Sequence, residues 1–203
     1  DPTVWNGTVW SILQSSTNTV KQVTWGASVA PYLDVPALFD FDNDGKTDAA
    51  TFRNGSTPGW WAINGNAISK SRTFGQTNDV PVAGKYRTNF TDFAVYRPSN
   101  GNWYIQDAIT GQVKIVQLGG VGYTPVNMDY DGDGLRDIAV FKQGSWWIIN
   151  SSNNQFIYLT YGLYNDIPVP ADYDGDGHTD LAVYRNGSWY VLYYNGTTDF
   201  AQW

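Results

Sequence analysis

The strongest constraint on this chain is a self-similarity with a period of about 44 residues. The segment from Asp166 to Arg185 is echoed by Tyr123 to Lys142, by Asp79 to Arg97 and by Asp34 to Arg53, and Pro36, Pro81, Pro125 and Pro168 step by 45, 44 and 43 residues. Two further landmarks keep the same step. An aromatic residue or Leu precedes Gly at Trp25-Gly26, Phe74-Gly75, Leu118-Gly119 and Tyr161-Gly162, and a Gly stands just before Trp60, Trp103, Trp146 and Trp189. A period of this length makes each unit one supersecondary module that buries its apolar faces only against its neighbours.

Two-residue alternation and turn punctuation place four short strands in each unit. In the last unit these are A (Val169–Tyr173), B (Leu181–Tyr184), C (Trp189–Tyr193) and D (Asp199–Trp203), and Asn186-Gly187 is the signal of a tight B–C hairpin. Composition agrees. All 19 acidic residues are Asp, none is Glu, there is one Met, and Gly, Trp and Tyr number 21, 10 and 14, which suits strands and turns rather than helices. Four strands per period predict an all-β fold, a β-propeller of four-stranded antiparallel blades. The expected organisation is a single propeller over 1–203: a partial blade at 1–33, then repeats at 34–78, 79–122, 123–165 and 166–203. Because residues 1–10 align without a gap on Asp180 to Trp189, the partial blade opens at strand B, continues through C (Trp10–Leu13) and D (Val20–Trp25), and lacks strand A. That open edge invites a neighbouring segment or a second copy of the chain to complete it.

The A–B loops carry the chemistry. Three of them read Asp-x-Asp-x-Asp-Gly-x-x-Asp: Asp40, Asp42, Asp44 and Asp48; Asp129, Asp131, Asp133 and Asp137; Asp172, Asp174, Asp176 and Asp180. Carboxylates at positions 1, 3 and 5 of a tight loop converge, Gly at position 6 permits the turn, and the carbonyl of position 7 (Lys46, Leu135, His178) adds an oxygen. All-oxygen ligation of this kind suits Ca²⁺. The alternative is a set of solvated acidic turns. The second unit departs from the pattern, with Lys85-Tyr86-Arg87-Thr88-Asn89 where carboxylates stand elsewhere and only Asp92 kept at the final position. It is expected to hold no metal, with Lys85 or Arg87 beside Asp92 in place of the ion.

With the core at 168–185, Pro-Val-Pro-Ala-Asp-Tyr-Asp-Gly-Asp-Gly-x-x-Asp-x-Ala-Val-Tyr-Arg, the chain resembles the FG-GAP or VCBS repeat family, whose repeats also occur in integrin α-chain heads. The resemblance implies Ca²⁺ held between the first two strands of a blade, in secreted or surface proteins with adhesive or carbohydrate-binding roles.

Other classes are disfavoured. The net charge is −7 with 12 Lys plus Arg, which argues against nucleic acid as a partner, and no apolar run reaches the length of a membrane span. Without Cys there is no disulfide framework or thiolate site. The single His, His178, sits in a loop slot where its carbonyl is the useful group and its side chain is expected to face solvent, so no catalytic constellation is read and a non-enzyme is expected. On strand C the second aromatics Trp61, Tyr104, Trp147 and Tyr190 either pack between blades or reach the surface to stack on a sugar. Six Asn-x-Ser/Thr sequons, at Asn6, Asn54, Asn89, Asn150, Asn186 and Asn195, are either exposed glycosylation acceptors or favoured turns. The expected function is a calcium-stabilised extracellular adhesion or glycan- or protein-binding module. The alternatives are a subunit of a surface assembly or filament, or an accessory propeller of a larger secreted enzyme.

Overall fold

The computed structural model describes residues 3–7, 9–14, 17–24, 33–40, 48–55, 57–64 and 67–202. All regular structure in them is β-strand, and the chain divides into two compact units, residues 1–83 and 84–203.

In the first unit, β1 (Thr3–Trp5), β2 (Val9–Gln14) and β3 (Thr19–Thr24) form an antiparallel three-stranded sheet in that order. The three strands fall where strands B, C and D of the N-terminal segment are expected. β4 (Leu33–Phe39), β5 (Asp48–Asn54), β6 (Gly59–Asn64) and β7 (Ala67–Arg72) form a complete four-stranded sheet, again in chain order. β8 (Val80–Pro81) holds the A position of the second full repeat and is the last element of the unit.

The second unit continues that repeat with β9 (Phe93–Arg97), β10 (Asn102–Gln106) and β11 (Val113–Gln117), all antiparallel. Two complete four-stranded sheets follow. One is β12 (Thr124–Pro125), β13 (Ile138–Lys142), β14 (Ser145–Ile149) and β15 (Phe156–Thr160), and the other is β16 (Ile167–Pro168), β17 (Leu181–Arg185), β18 (Ser188–Leu192) and β19 (Thr198–Gln202).

Strands B, C and D fall within a residue or two of their expected positions; Trp25 and Trp203, the expected ends of two D strands, lie outside the described residues. Strand A differs. The sequence pattern predicts it at Val169–Tyr173, whereas β16 covers only Ile167–Pro168. Pro168 and Pro170 have no N–H to donate, so a continuous ladder cannot form. Pairing with β17 persists as single contacts, Val169 N–H to the Ala182 carbonyl at 2.8 Å and an isolated bridge between Ala171 and Asp180. The B–C hairpin is as expected. Arg185 pairs with Ser188, and Asn186 (φ 49°) and Gly187 (φ 87°) are both left-handed, the two-residue turn that matches strand twist.

Burial grades outward in two of the sheets. β9 and β13 are buried on successive residues, as strands covered on both faces are; β10 and β14 alternate buried and half-buried; β11 and β15 are mostly exposed. One core cluster shows how blades join. Ala139, Phe141, Trp146 and Ile148 of the third repeat pack with Leu181 and Val183 of the fourth, and Tyr161, Tyr190 and Leu192 close its margin.

The two Gly landmarks of the repeat turn out to be halves of one contact. Gly144, just before Trp146, has φ 79°, and a Cβ there would lie 2.5 Å from the Gly162 carbonyl oxygen, while the Gly144 carbonyl accepts the Tyr161 N–H at 2.8 Å. Gly101 and Gly119 meet in the same way. Gly144→Ala combines left-handed strain with a backbone clash and is expected to lower stability by about 2 kcal/mol, read as a shift of the urea midpoint. A midpoint within error of the parent would refute this close approach.

Candidate metal centre

Two of the three acidic loops lie in the described residues, and they have congruent geometry. Asp129 accepts from the N–H groups of Gly132 (2.8 Å) and Asp133 (3.2 Å) on one oxygen and of Gly134 (2.8 Å) on the other. Asp172 repeats this with Gly175 (2.7 Å), Asp176 (3.2 Å) and Gly177 (3.0 Å). At position 5, Asp133 accepts the Leu135 N–H at 2.7 Å and Asp176 accepts the His178 N–H at 2.8 Å. The first carboxylate thus winds the loop by capping successive amides, the turn chemistry for which Asp is suited.

The loops gather their carboxylates. One oxygen from each of Asp129, Asp131 and Asp137 lies within 4.8 Å of the others, and so does one from each of Asp172, Asp174 and Asp176. Asp133 is outside the first group, its Oδ2 accepting from Ser151 Oγ at 2.9 Å, and Asp180 is outside the second. In the first loop Asp40 is half-buried and Asp48 is buried in β5, whereas Asp42, Asp44 and Lys46 lie outside the described residues.

The donor set fits a hard divalent cation. Like charges this close repel unless a cation offsets them. Asp131 Oδ2 accepts from Ser152 Oγ at 2.5 Å, yet Asp131 Oδ1 is buried with no hydrogen-bond partner. A bare carboxylate oxygen turned inward among carboxylates is suited to a metal ion. Ser151 and Ser152, which lie in the C–D turn, were not anticipated, since nothing in the loop motif points to a turn 14 residues further along.

The last Asp of the motif has a second duty. Asp137 is fully buried; its Oδ2 accepts the Tyr130 N–H at 2.8 Å and its Oδ1 the Ser151 N–H at 2.7 Å. Asp180 does the same with Tyr173 (2.8 Å) and Tyr194 (3.0 Å). Burial pushes the Asp137 carboxyl up to about 6, against the two backbone donors and with Asp131 adding to the rise. These residues pin the A–B loop to the C–D turn of the same blade. Asp92 holds the same place in the second repeat, accepting the Ala108 N–H at 3.1 Å. Its retention where the other carboxylates are gone was the sequence signal for a structural pin.

The expected cation in the second repeat is Arg87. It aligns with Asp131; its Nε is 3.6 Å from Asp92 Oδ2 and its Nη1 is 3.5 Å from Asp107 Oδ2. Lys85 is exposed and contributes its carbonyl, which accepts the Arg136 N–H at 2.6 Å. The equivalent bond in the next repeat, Thr179 N–H to the Asp129 carbonyl at 2.9 Å, ties one loop to the following one. His178 departs from expectation. Its ring is half-buried, stacked on Tyr194 with centroids 4.0 Å apart and planes 5° from parallel, and it packs over Gly132 of the preceding loop. Gly132 leaves room for the ring, whose Nδ1 is buried without a hydrogen-bond partner.

The strand C aromatics divide by face. Trp60, Trp103 and Trp146 are fully buried. Trp61, Tyr104 and Tyr190 are half-buried, and each carries a guanidinium on its ring: Arg53 at 4.8 Å, Arg97 at 4.2 Å and Arg185 at 4.6 Å. Arg53 and Arg185 are held by bidentate pairs with Asp34 (2.7 and 2.9 Å) and Asp166 (2.5 and 2.6 Å). In the third repeat both partners change together. Tyr123 replaces the Asp and Lys142 the Arg, with Lys142 Nζ 4.5 Å over Tyr123 and Trp147 set against the rings of Tyr123 and Tyr158.

Of the sequons, Asn6, Asn89, Asn186 and Asn195 are exposed and Asn54 is half-buried, but Asn150 is only 6% exposed and is not an exposed acceptor. The hydrogen bonds of the C–D turn, including Asn154 N–H to the Asn150 carbonyl at 2.9 Å, hold it inward.

No family model matches the chain, and no curated protein matches it. Solved structures do. Virginiamycin B lyase from Staphylococcus aureus superposes with a TM-score of 0.58 at 11% identity over 97% of this chain, which spans 63% of that one. The protein described as BBS1N in complex with ARL6DN matches twice, with TM-scores of 0.58 and 0.52 at 13% identity, over 98% and 87% of this chain and 63% and 58% of the other. The chain thus spans about three fifths of the length of the structures it matches. At these identities the likeness is one of fold, and together with the repeated antiparallel sheets it makes the chain a β-propeller.

Proposed function

We propose that this chain is a calcium-stabilised, non-enzymatic propeller that works outside the cell as a binding module for a glycan or protein. The observation that carries the reading is the pair of alike-wound acidic loops, each gathering three carboxylates, with Asp131 Oδ1 buried and unpartnered inside one of them. Extracellular calcium modules bind at about 10⁻⁴ to 10⁻³ M, so such loops fill where calcium is millimolar, which favours an extracellular setting. With three ions bound, the formal charge of −7 falls to nearly neutral, so the acidity serves ligation rather than attraction of basic partners. The binding role is supported by the fold and by the solved propeller that is described in complex with ARL6DN. The carboxylates cap loop amides and pin turns, and the imidazole of His178 is occupied in a stack, which supports a binding rather than a catalytic role.

At free calcium a few times the dissociation constant each site adds about 1 kcal/mol. For a chain of this size three sites raise the melting temperature by several degrees. Thermal melts in calcium and in excess chelator are expected to differ by that amount, and terbium luminescence sensitised by nearby Trp and Tyr is expected to fall in Asp174→Asn. Superimposable melts together with absent terbium emission would overturn the metal reading.

A further inference from the structure

The second repeat lost its carboxylates, and what replaced them points to the opposite charge. A cavity of about 30 Å³ between the second and third full repeats is lined by Tyr86, Arg87, Lys114, Arg136, Asn150 and Ser151, with Ile105, Ile138 and Ile149 as apolar wall. Three cationic side chains therefore border a space large enough for a small ion. Arg87 reaches it from the position that Asp131 holds in the next blade. Arg136 comes from the facing blade, where its Nη1 donates to the Asn127 carbonyl at 2.5 Å.

Arg87 is under-satisfied. Its ion pairs with Asp92 and Asp107 are long, at 3.6 and 3.5 Å, and its Nε and Nη2 are buried with no hydrogen-bond partner. Asn150, only 6% exposed, lines the same cavity. Buried guanidinium N–H groups without acceptors are costly, and the Ile wall strengthens any charge interaction made beside them. An acceptor bearing negative charge would satisfy Arg87 Nη2 and offset the crowding of Arg87, Lys114 and Arg136.

We propose that this cleft is a binding site for a small inorganic anion of about the size of chloride, so that the propeller exchanges a cation site for an anion site in the repeat whose acidic loop has degenerated. The anion bridges the two blades there beside the hydrogen bond from Arg136 N–H to the Lys85 carbonyl, as the stacked His178 packs across the next joint beside the bond from Thr179 to Asp129.

The test uses the full chain in calcium. Sodium chloride is titrated against sodium gluconate at constant ionic strength, and the chain is crystallised with bromide for anomalous scattering. Chloride is expected to raise the melting temperature saturably by a few degrees over gluconate, and a bromide peak is expected within hydrogen-bond distance of Arg87 Nη2. Arg87→Gln leaves Asp92 buried without its cation and will be less stable overall. The readout is therefore the chloride-minus-gluconate difference, which is expected to vanish in Arg87→Gln and to weaken in the surface variant Lys114→Gln. Equal melting in the two salts, a difference that persists in Arg87→Gln, or water alone beside Arg87 in the bromide crystal would each overturn the proposal. Because the comparison is repeated in chelator, loss of calcium binding does not affect its outcome.

Discussion

Trp146→Ala is expected to remove about 3–5 kcal/mol of stability and to lower the melting temperature by about 10 °C. Trp146 is fully buried, with the Phe141 ring edge-on at 4.8 Å and Leu181 and Val183 of the following blade against it. Truncation opens a cavity at the joint between two blades, where neither backbone can move in without breaking its own ladder. It also strips the Tyr161 carbonyl of the indole Nε1–H that donates to it at 2.8 Å. Trp189, the equivalent residue of the last repeat, is only half-buried, so Trp189→Ala should cost less. Urea denaturation followed by circular dichroism measures both. Equal losses, or a loss below about 1 kcal/mol for Trp146→Ala, would contradict the packing of one blade on the next.

Asp137→Ala and Asp131→Ala should separate the two duties of the acidic loop. Removing the Asp137 carboxylate orphans the buried N–H groups of Tyr130 and Ser151, each worth about 1–3 kcal/mol when left unsatisfied. The expected loss is about 3 kcal/mol, and it persists in chelator because it does not depend on an ion. Asp131→Ala removes an oxygen that has no protein partner and another that accepts only from Ser152. It should scarcely change stability in chelator while abolishing the calcium-dependent gain of that site. Melting both variants with and without calcium is the measurement. A calcium-dependent loss in Asp137→Ala with none in chelator would show that the last Asp is a ligand alone.

Much of the fold was legible because the repeat states its rules four times. The Asn186-Gly187 hairpin, the alternation of strand C and the order of the three N-terminal strands all follow from local chemistry: left-handed turn residues, the two-residue period of a pleated strand, and the residue-by-residue match of the N-terminal segment to strand B. The short A strands were misplaced because Pro removes ladder donors without removing the extended backbone, and a pattern of apolar residues does not distinguish the two. The pairing of Gly144 with Gly162 was visible as two landmarks, but not as one contact, because the 17 residues between them say nothing about distance in space.

The site divides along the same line. By itself the sequence pointed to the winding of each acidic loop, which is set by side-chain capping of amides a few residues away; carboxylates at positions 1, 3 and 5 gather in the 172–180 loop, whereas in the 129–137 loop Asp137 takes the place of Asp133. It also marked the second repeat as cationic. Only the tertiary structure decided that Asp137 and Asp180 are committed to the C–D turn, that His178 lies on Tyr194 rather than in solvent, that Asn150 is buried, and that Arg87 faces a small cavity with Lys114 and Arg136. Each of those outcomes depends on what a second turn or a neighbouring blade places opposite the residue. A period of about 44 residues specifies the unit well, but the partners across a blade joint come from the stacking of units, where burial and unmet hydrogen bonds, not local pattern, decide what a side chain does.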